Sequence, residues 1–224
     1  MSKRIIICVM LLLMCDYGFP QLPVSDWKHQ TLTIENTNPG NVVELKGVLE
    51  ADTIFITDNV IVPGNEVLTF LPGTTVVATG FFGFDVRGSI RALGTASQPV
   101  VFTVSDTTGF SDPGNGRGGW DGFNFTNVDS GSDSSLFSYC IFRYTKAIGD
   151  SLTGMGGAFN IRHFDRIKIS DCEFNHNQAY FWGGAIFVDS GNIQIQDCSF
   201  TGNFCGSSMS LSSGGQRSET RLWM

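Results

Sequence analysis

Asp171-Cys172-Glu173-Phe174-Asn175-His176-Asn177 returns 26 residues later as Asp197-Cys198-Ser199-Phe200-Thr201-Gly202-Asn203. A glycine pair precedes each copy, Gly156-Gly157-Ala158-Phe159 and then Gly183-Gly184-Ala185-Ile186, 27 residues apart. A fixed period in the twenties marks a solenoid, in which each unit buries its apolar face only by stacking on the next. Within the unit, Ile167-x-Ile169 and Ile193-x-Ile195 alternate at period two, as half-buried strands do. Cys172-x-Phe174 resumes that alternation after a one-residue offset at Asp171, which places a bend there. Neither a helical stripe nor a leucine-rich spacing is present. Three short strands and sharp turns fill one such unit, which makes it a coil of an all-β, right-handed parallel β-helix solenoid.

Working upstream, Phe137-Ser138-Tyr139-Cys140-Ile141-Phe142 matches the C-x-F strand with Tyr139 in the aspartate position, and Val100 takes the cysteine position in Pro99-Val100-Val101-Phe102. Val67-Leu68-Thr69-Phe70 and Phe84-x-Val86-x-Gly88-x-Ile90 supply earlier strands broken by Gly and Pro turns. Residues 41–215 therefore read as one β-helix domain, preceded by a lead-in or cap over 22–40. Glycine at 27 of 224 residues and only 16% charged residues suit a turn-rich β chain of this size.

Lys3-Arg4 followed by the apolar residues 5–14 reads as a secretory signal peptide over residues 1–21; ten apolar residues are fewer than the roughly 20 that span a bilayer. Cleavage is expected between Gly18 and Gln21, with lipidation at Cys15 as the alternative. Loss of that segment removes Lys3, Arg4 and Asp16 from 14 basic and 21 acidic residues, for a net charge of about −8. Such an acidic surface argues against nucleic acid or anionic lipid as a partner.

Cys140, Cys172 and Cys198 share one rung position and are expected to stack inward as buried thiols, about 4.8 Å apart, wider than a disulfide's Cβ spacing prefers. Phe142, Phe174 and Phe200 should form a parallel column beside them. Asn177 and Asn203 should stack at a turn, bonding along the ladder and holding its left-handed backbone. The spacing contains no CxxC or Cys/His pairing for zinc.

The paired G-G-A-[IF] and F-x-x-N motifs resemble those of the chlamydial polymorphic outer-membrane proteins. Thr69-Phe70-Leu71-Pro72-Gly73-Thr74, Gly88-Ser89-Ile90-Arg91-Ala92-Leu93-Gly94-Thr95, Pro99-Val100-Val101-Phe102-Thr103 and Gly118-Gly119-Trp120-Asp121-Gly122-Phe123 are similar to the successive rungs of secreted right-handed β-helix repeat proteins of Bacteroidetes-type bacteria. The likeness spans residues 60–215. It implies a surface or secreted location, at the outer membrane or outside the cell, and leaves activity undefined. Gly206-Ser207-Ser208-Met209-Ser210-Leu211 starts another coil, whereas residues 216–224 break the pattern and read as a truncation or a shifted frame.

Catalysis by this fold class needs clustered carboxylates on one outer face. The outward columns are Lys168/Gln194, Ser170/Gln196, Glu173/Ser199 and Asn175/Thr201, and none pairs two carboxylates. Asp171 and Asp197 stack at the bend as turn formers, and the three histidines fall far apart in the repeat. Two surface features remain. Residues 105–119 form a long Gly/Asp/Ser loop carrying Asp106, Asp112 and Asn115, whose oxygens are also calcium donors, although their spacing matches no standard loop. Tyr180-Phe181-Trp182 precedes a glycine pair and offers aromatic faces to a sugar or a protein, or packs over a coil edge. The expected role is a secreted or cell-surface adhesin-type scaffold that binds a polysaccharide or protein without catalysis; the alternative is a polysaccharide lyase or glycoside hydrolase, or a fragment of one.

Overall fold

Period-two alternation and in-register repeats leave the chain one economical way to bury its apolar residues, which is to stack like on like. The computed structural model describes residues 31–34 and 43–206. The signal segment 1–21, most of the lead-in 22–40, the Met209/Leu211 rung and the tail 216–224 lie outside the described residues. Within them the fold is a parallel β-helix. Each coil contributes one strand to each of three parallel sheets, in the order I, II, III. Sheet I holds Val43–Glu44, Val60–Val62, Phe84–Val86, Phe123–Phe125, Phe159–Arg162 and Ile186–Asp189. Sheet II holds Gly47–Leu49, Val67–Phe70, Ser89–Leu93, Ser135–Ser138, Ile167–Ser170 and Gln194–Gln196. Sheet III holds Thr31–Ile34, Thr53–Ile56, Thr75–Ala78, Val100–Val104, Cys140–Arg143, Glu173–Asn175 and Ser199–Thr201. A short sheet IV (Lys146–Ala147, Gln178–Ala179, Phe204–Cys205) extends the last coils.

One inward column of sheet III runs Leu32, Ile54, Val76, Phe102, Phe142, Phe174, Phe200. Its rings lie face on face, with centroids 5.2, 5.0 and 4.7 Å apart down the column and interplanar angles of 2°, 19° and 5°. That separation is the interstrand spacing of a parallel ladder, so the backbone hydrogen bonds set the ring contact. Opposite it, Phe84, Phe123 and Phe159 of sheet I form a second column at 4.8 and 5.3 Å. Trp120 closes the core, 1% exposed, its Nε1–H donating to the Arg143 carbonyl at 2.9 Å.

The cysteine column is present as expected. Val100, Cys140 and Cys172 occupy consecutive rungs, the two thiols are buried, Cys198 is half-buried, and all three are free. Hydrogen bonding to the neighbouring thiol of the column, with burial, pushes the Cys172 and Cys198 thiols well above the ordinary range. They behave as small apolar groups.

The corner between sheets II and III is a left-handed residue in three successive coils, Tyr139 (φ 49°), Asp171 (φ 54°) and Asp197 (φ 51°). The corner after sheet III differs from expectation by one position. The left-handed residues are Tyr144, His176 and Gly202 (φ 58°, 53° and 64°), and not the asparagines that follow. The asparagines face inward instead. Asn177 Nδ2 donates to Phe142 O and Asn203 Oδ1, its Oδ1 accepts from Thr145 N–H and Oγ1–H, and Asn203 Nδ2 donates to Phe174 O. A side chain committed to bridging coils cannot also bond its own turn, so the residue before it takes the strained backbone.

The G-G-A-[IF] motif has two separate causes. Gly156 and Gly183 hold φ of 66° and 67°. A Cβ on Gly157 would run into the Gly184 carbonyl and the Gln178 backbone of neighbouring strands, so the second glycine is required by close approach rather than by conformation.

Asn177→Ala removes bonds to two adjacent coils and leaves buried backbone groups without partners, at about 1–3 kcal/mol for each unsatisfied group. We expect it to lower stability by about 3 kcal/mol, and Asn203→Ala by less, because the Asn203 side chain bonds only the preceding coil. Urea unfolding followed by circular dichroism would order the two.

Candidate functional site

The three strands of each coil are fixed by stacking, so variation in chain length must go into the connections. The two longest, residues 105–122 and 148–158, both lie where the chain passes from sheets III and IV to sheet I, flanked there by the shorter connections 79–83 and 180–185 of the neighbouring coils. They touch one another. Asp121 N–H donates to Phe82 O, Gly157 N–H to Gly183 O, and Phe181 N–H to Gly154 O. The two surface features read separately from the sequence, loop 105–119 and Tyr180-Phe181-Trp182, thus lie along the same edge.

Loop 105–119 is built around a lysine that the sequence reading missed. Lys146 leaves sheet IV and its Nζ donates to the carbonyls of Gly109 (3.0 Å), Asp112 (2.7 Å), Asn115 (3.2 Å) and Arg117 (2.7 Å), with the Phe110 ring centroid at 5.4 Å. Four acceptors around one nitrogen match an ammonium, which has three N–H donors, better than a neutral amine. Burial pulls the Lys146 pKa below the ordinary lysine value, and the Asp112 charge acts against that pull. Gly119 lies against the stem, where a Cβ would meet Lys146 Cγ at 2.7 Å.

The three acidic and amide residues of that loop bond backbone and side chains within it. Asp106 Oδ1 accepts from Thr108 N–H at 2.8 Å; Asp112 accepts from Gly114 N–H and Asn115 Nδ2; Asn115 Oδ1 accepts from Arg117 N–H. These are Asx-type turns, and the carbonyl oxygens that would complete a metal site converge on the Lys146 ammonium instead. Among the described residues no three His, Cys, Asp or Glu side chains gather as a metal site.

The aromatic run divides into two packed rings and one exposed ring. Tyr180 and Phe181 meet edge to face at 4.9 Å and pack on loop 148–156, close to Gly154. Trp182 stands 55% exposed.

A cleft of about 430 Å³ opens between the turn at residues 79–81 and loop 105–119, lined by Thr79, Phe81, Ser105, Asp106, Thr108, Arg117 and glycine backbone. Of the sequence candidates only Asp106 reaches it. The Thr108 side chain and backbone hydrogen bonds hold the Asp106 carboxyl below the usual carboxylate range, with a smaller contribution from Arg117.

A polar column on the outer face of sheet I was also missed. Asp85, Asn124 and Asn160 occupy successive rungs, Asn160 Nδ2 donating to Leu152 O at 2.9 Å and approaching Asn124 Oδ1 at 3.4 Å. Loop 148–156 roofs its far end, where Arg162 pairs with Asp189 at 3.3 Å and lies over the Phe187 ring. The signal was present in sequence as F-[DN]-[VFI] in three coils, but the coils are of unequal length and the spacing hides it. Asp85 is the one carboxylate of this column and is tied to Arg87 at 2.8 Å. Within the paired strands of the described residues no register aligns two carboxylates.

Asp121, at the foot of loop 105–119, is half-buried, and desolvation of its carboxyl raises its pKa to about 7. No family model, no curated protein and no solved structure matches this chain.

Two outcomes are expected here. Lys146→Met leaves four carbonyls without a donor, so trypsin should cut after Arg117 about tenfold faster while the coils stay folded, as read by limited proteolysis. Asp121 binds its proton more tightly folded than unfolded, so its contribution is favourable at low pH and is lost as pH rises from about 4 toward 7. Asp121→Asn should therefore raise Tm at pH 8 and leave it nearly unchanged at pH 4, in thermal melts at the two values.

Proposed function

We propose that this protein is a secreted or cell-surface β-helix scaffold that binds a polysaccharide or a protein partner along the edge where its longest connections stack, and that it does so without catalysis. The observation that carries the reading is the convergence of loop 105–119, its cleft and the exposed Trp182 on that one edge. Rigid strands hold loops that would otherwise cost conformational entropy to order on binding. An exposed indole on the same edge as a cleft lined by both apolar and polar groups suits a ligand with both apolar and hydroxyl-bearing faces, which describes a glycan. The net charge of −7 favours uncharged ligands over anionic ones.

A lyase or hydrolase would draw on a carboxylate pair or a carboxylate cluster, and the outer columns offer single carboxylates set among amides and hydroxyls. Among the described residues no helix is long and apolar enough to cross a membrane, and the surface location rests on the N-terminal sequence and the family resemblance.

Trp182→Ala should weaken retention by the bound polysaccharide about tenfold in affinity electrophoresis, with the melting curve unchanged, because the side chain is exposed. Absence of retention by every polysaccharide tried, with no protein ligand captured on the same edge, would remove the reading.

A further inference from the structure

We infer that the cleft between residues 79–81 and loop 105–119 holds one ring of a neutral, diol-bearing sugar, gripped by Asp106 and Arg117. This rests on the glycan-binding reading and narrows it to one site and one ligand class. A volume of about 430 Å³ falls in the range of small-molecule sites and accommodates a pyranose with a neighbouring residue partly outside.

The polar groups of the cleft divide into those already used and those left over. Thr79 Oγ1 donates to Ile56 O at 3.2 Å, and Asp106 Oδ1 takes the Thr108 N–H at 2.8 Å. The Asp106 carboxylate, which also draws on the Thr108 side chain, keeps lone pairs to spare, and the Ser105 hydroxyl and the Arg117 guanidinium have no hydrogen-bond partner among the described residues. A carboxylate with acceptor capacity left over, beside an unpaired guanidinium, is an acceptor beside a set of donors. Vicinal hydroxyls, each of which both donates and accepts, satisfy that pair together. Phe81 supplies apolar surface for the C–H face of the ring, and is itself steadied against Gly116, where a Cβ would collide with its ring.

Charge decides the ligand class. Asp106 is held ionised and Arg117 stands within its field, so the cleft carries one charge of each sign and little net charge. An uronate or sulfated sugar would gain at Arg117 what it loses at Asp106 and still face a chain of net charge −7; a neutral sugar meets no such penalty. The cleft is also preformed. Arg117 presents its side chain from a backbone whose carbonyl is pinned at 2.7 Å by Lys146, together with those of Gly109, Asp112 and Asn115. Ligand binding therefore does not have to order the loop.

The test uses the whole chain and two panels of oligosaccharides, neutral (gluco-, manno-, galacto- and xylo-) and uronate, in isothermal titration. We expect a neutral oligosaccharide to bind, and Asp106→Asn and Arg117→Gln each to weaken it about ten- to a hundredfold, the loss of a hydrogen bond to a charged group. Asn at 106 can still accept from Thr108 N–H, so the loop is kept. A readout that needs no variant is amide hydrogen exchange, in which the sugar should slow residues 105–119. Binding that Trp182→Ala weakens, but that both cleft variants retain and that protects some other segment, overturns this inference and leaves the broader reading standing. Preference for uronates that Arg117→Gln abolishes overturns the neutral class. No sugar bound in either panel overturns both.

Discussion

Stacked phenylalanines, spaced by the hydrogen bonds of a parallel ladder, are the constraint from which the rest of this molecule follows. Phe102, Phe142, Phe174 and Phe200 sit 4.7–5.2 Å apart because their strands are paired in register, and ring stacking in turn forbids any slip of that register. A shift by one residue would send the whole column outward. Once it is fixed, each coil must turn at the same place as its neighbours. Non-glycine residues accept left-handed φ at Tyr139, Asp171 and Asp197 because the stacked strands on both sides over-determine the corner. Asn177 adds a second lock by tying Phe142, Thr145 and Asn203 through one buried amide.

The same constraint explains which parts of the structure were legible in the sequence. The last two coils share a 26-residue offset, so strand positions, the bend at Asp171 and the Cys172/Cys198 and Phe174/Phe200 columns could all be read from spacing alone. The column continues upstream as Leu32, Ile54 and Val76, where aliphatic side chains carry the same alternation without a repeated motif. The corner at His176 was misplaced by one residue because asparagine suits both a left-handed turn and an amide ladder. Only three-dimensional pairing shows which use it has.

The candidate site was less legible, and for a physical reason. Chemistry on this edge comes from residues that the period does not relate. Lys146 aligns with Gln178 and Phe204, which share neither its charge nor its role, and it acts on a loop that begins some 40 residues earlier in the chain. Asp85, Asn124 and Asn160 do share a rung, but insertions of different length separate their coils. Composition marked loop 105–119 as unusual. It did not reveal that the loop's own carbonyls enclose a lysine, or that Arg117 is left to face a cleft.

Gln178 sharpens the contrast between scaffold and edge. It is 1% exposed and neither side-chain polar atom has a partner within the protein, one coil on from the fully satisfied Lys146. A buried amide in that condition costs about 1–3 kcal/mol relative to an apolar residue of similar size. The interior columns of sheets I to III consist mainly of apolar groups and bonded amides, with Ser89 Oγ as a buried hydroxyl lacking a partner. Unpaired or desolvated polar groups gather instead on and beside the edge where the chain leaves sheets III and IV for sheet I, at Gln178, Asp121, Asn160 Oδ1 and Arg162 Nε. A fold that can discard such groups through its repeat, yet holds them beside its longest loops, has its stability set by the columns and not by that edge.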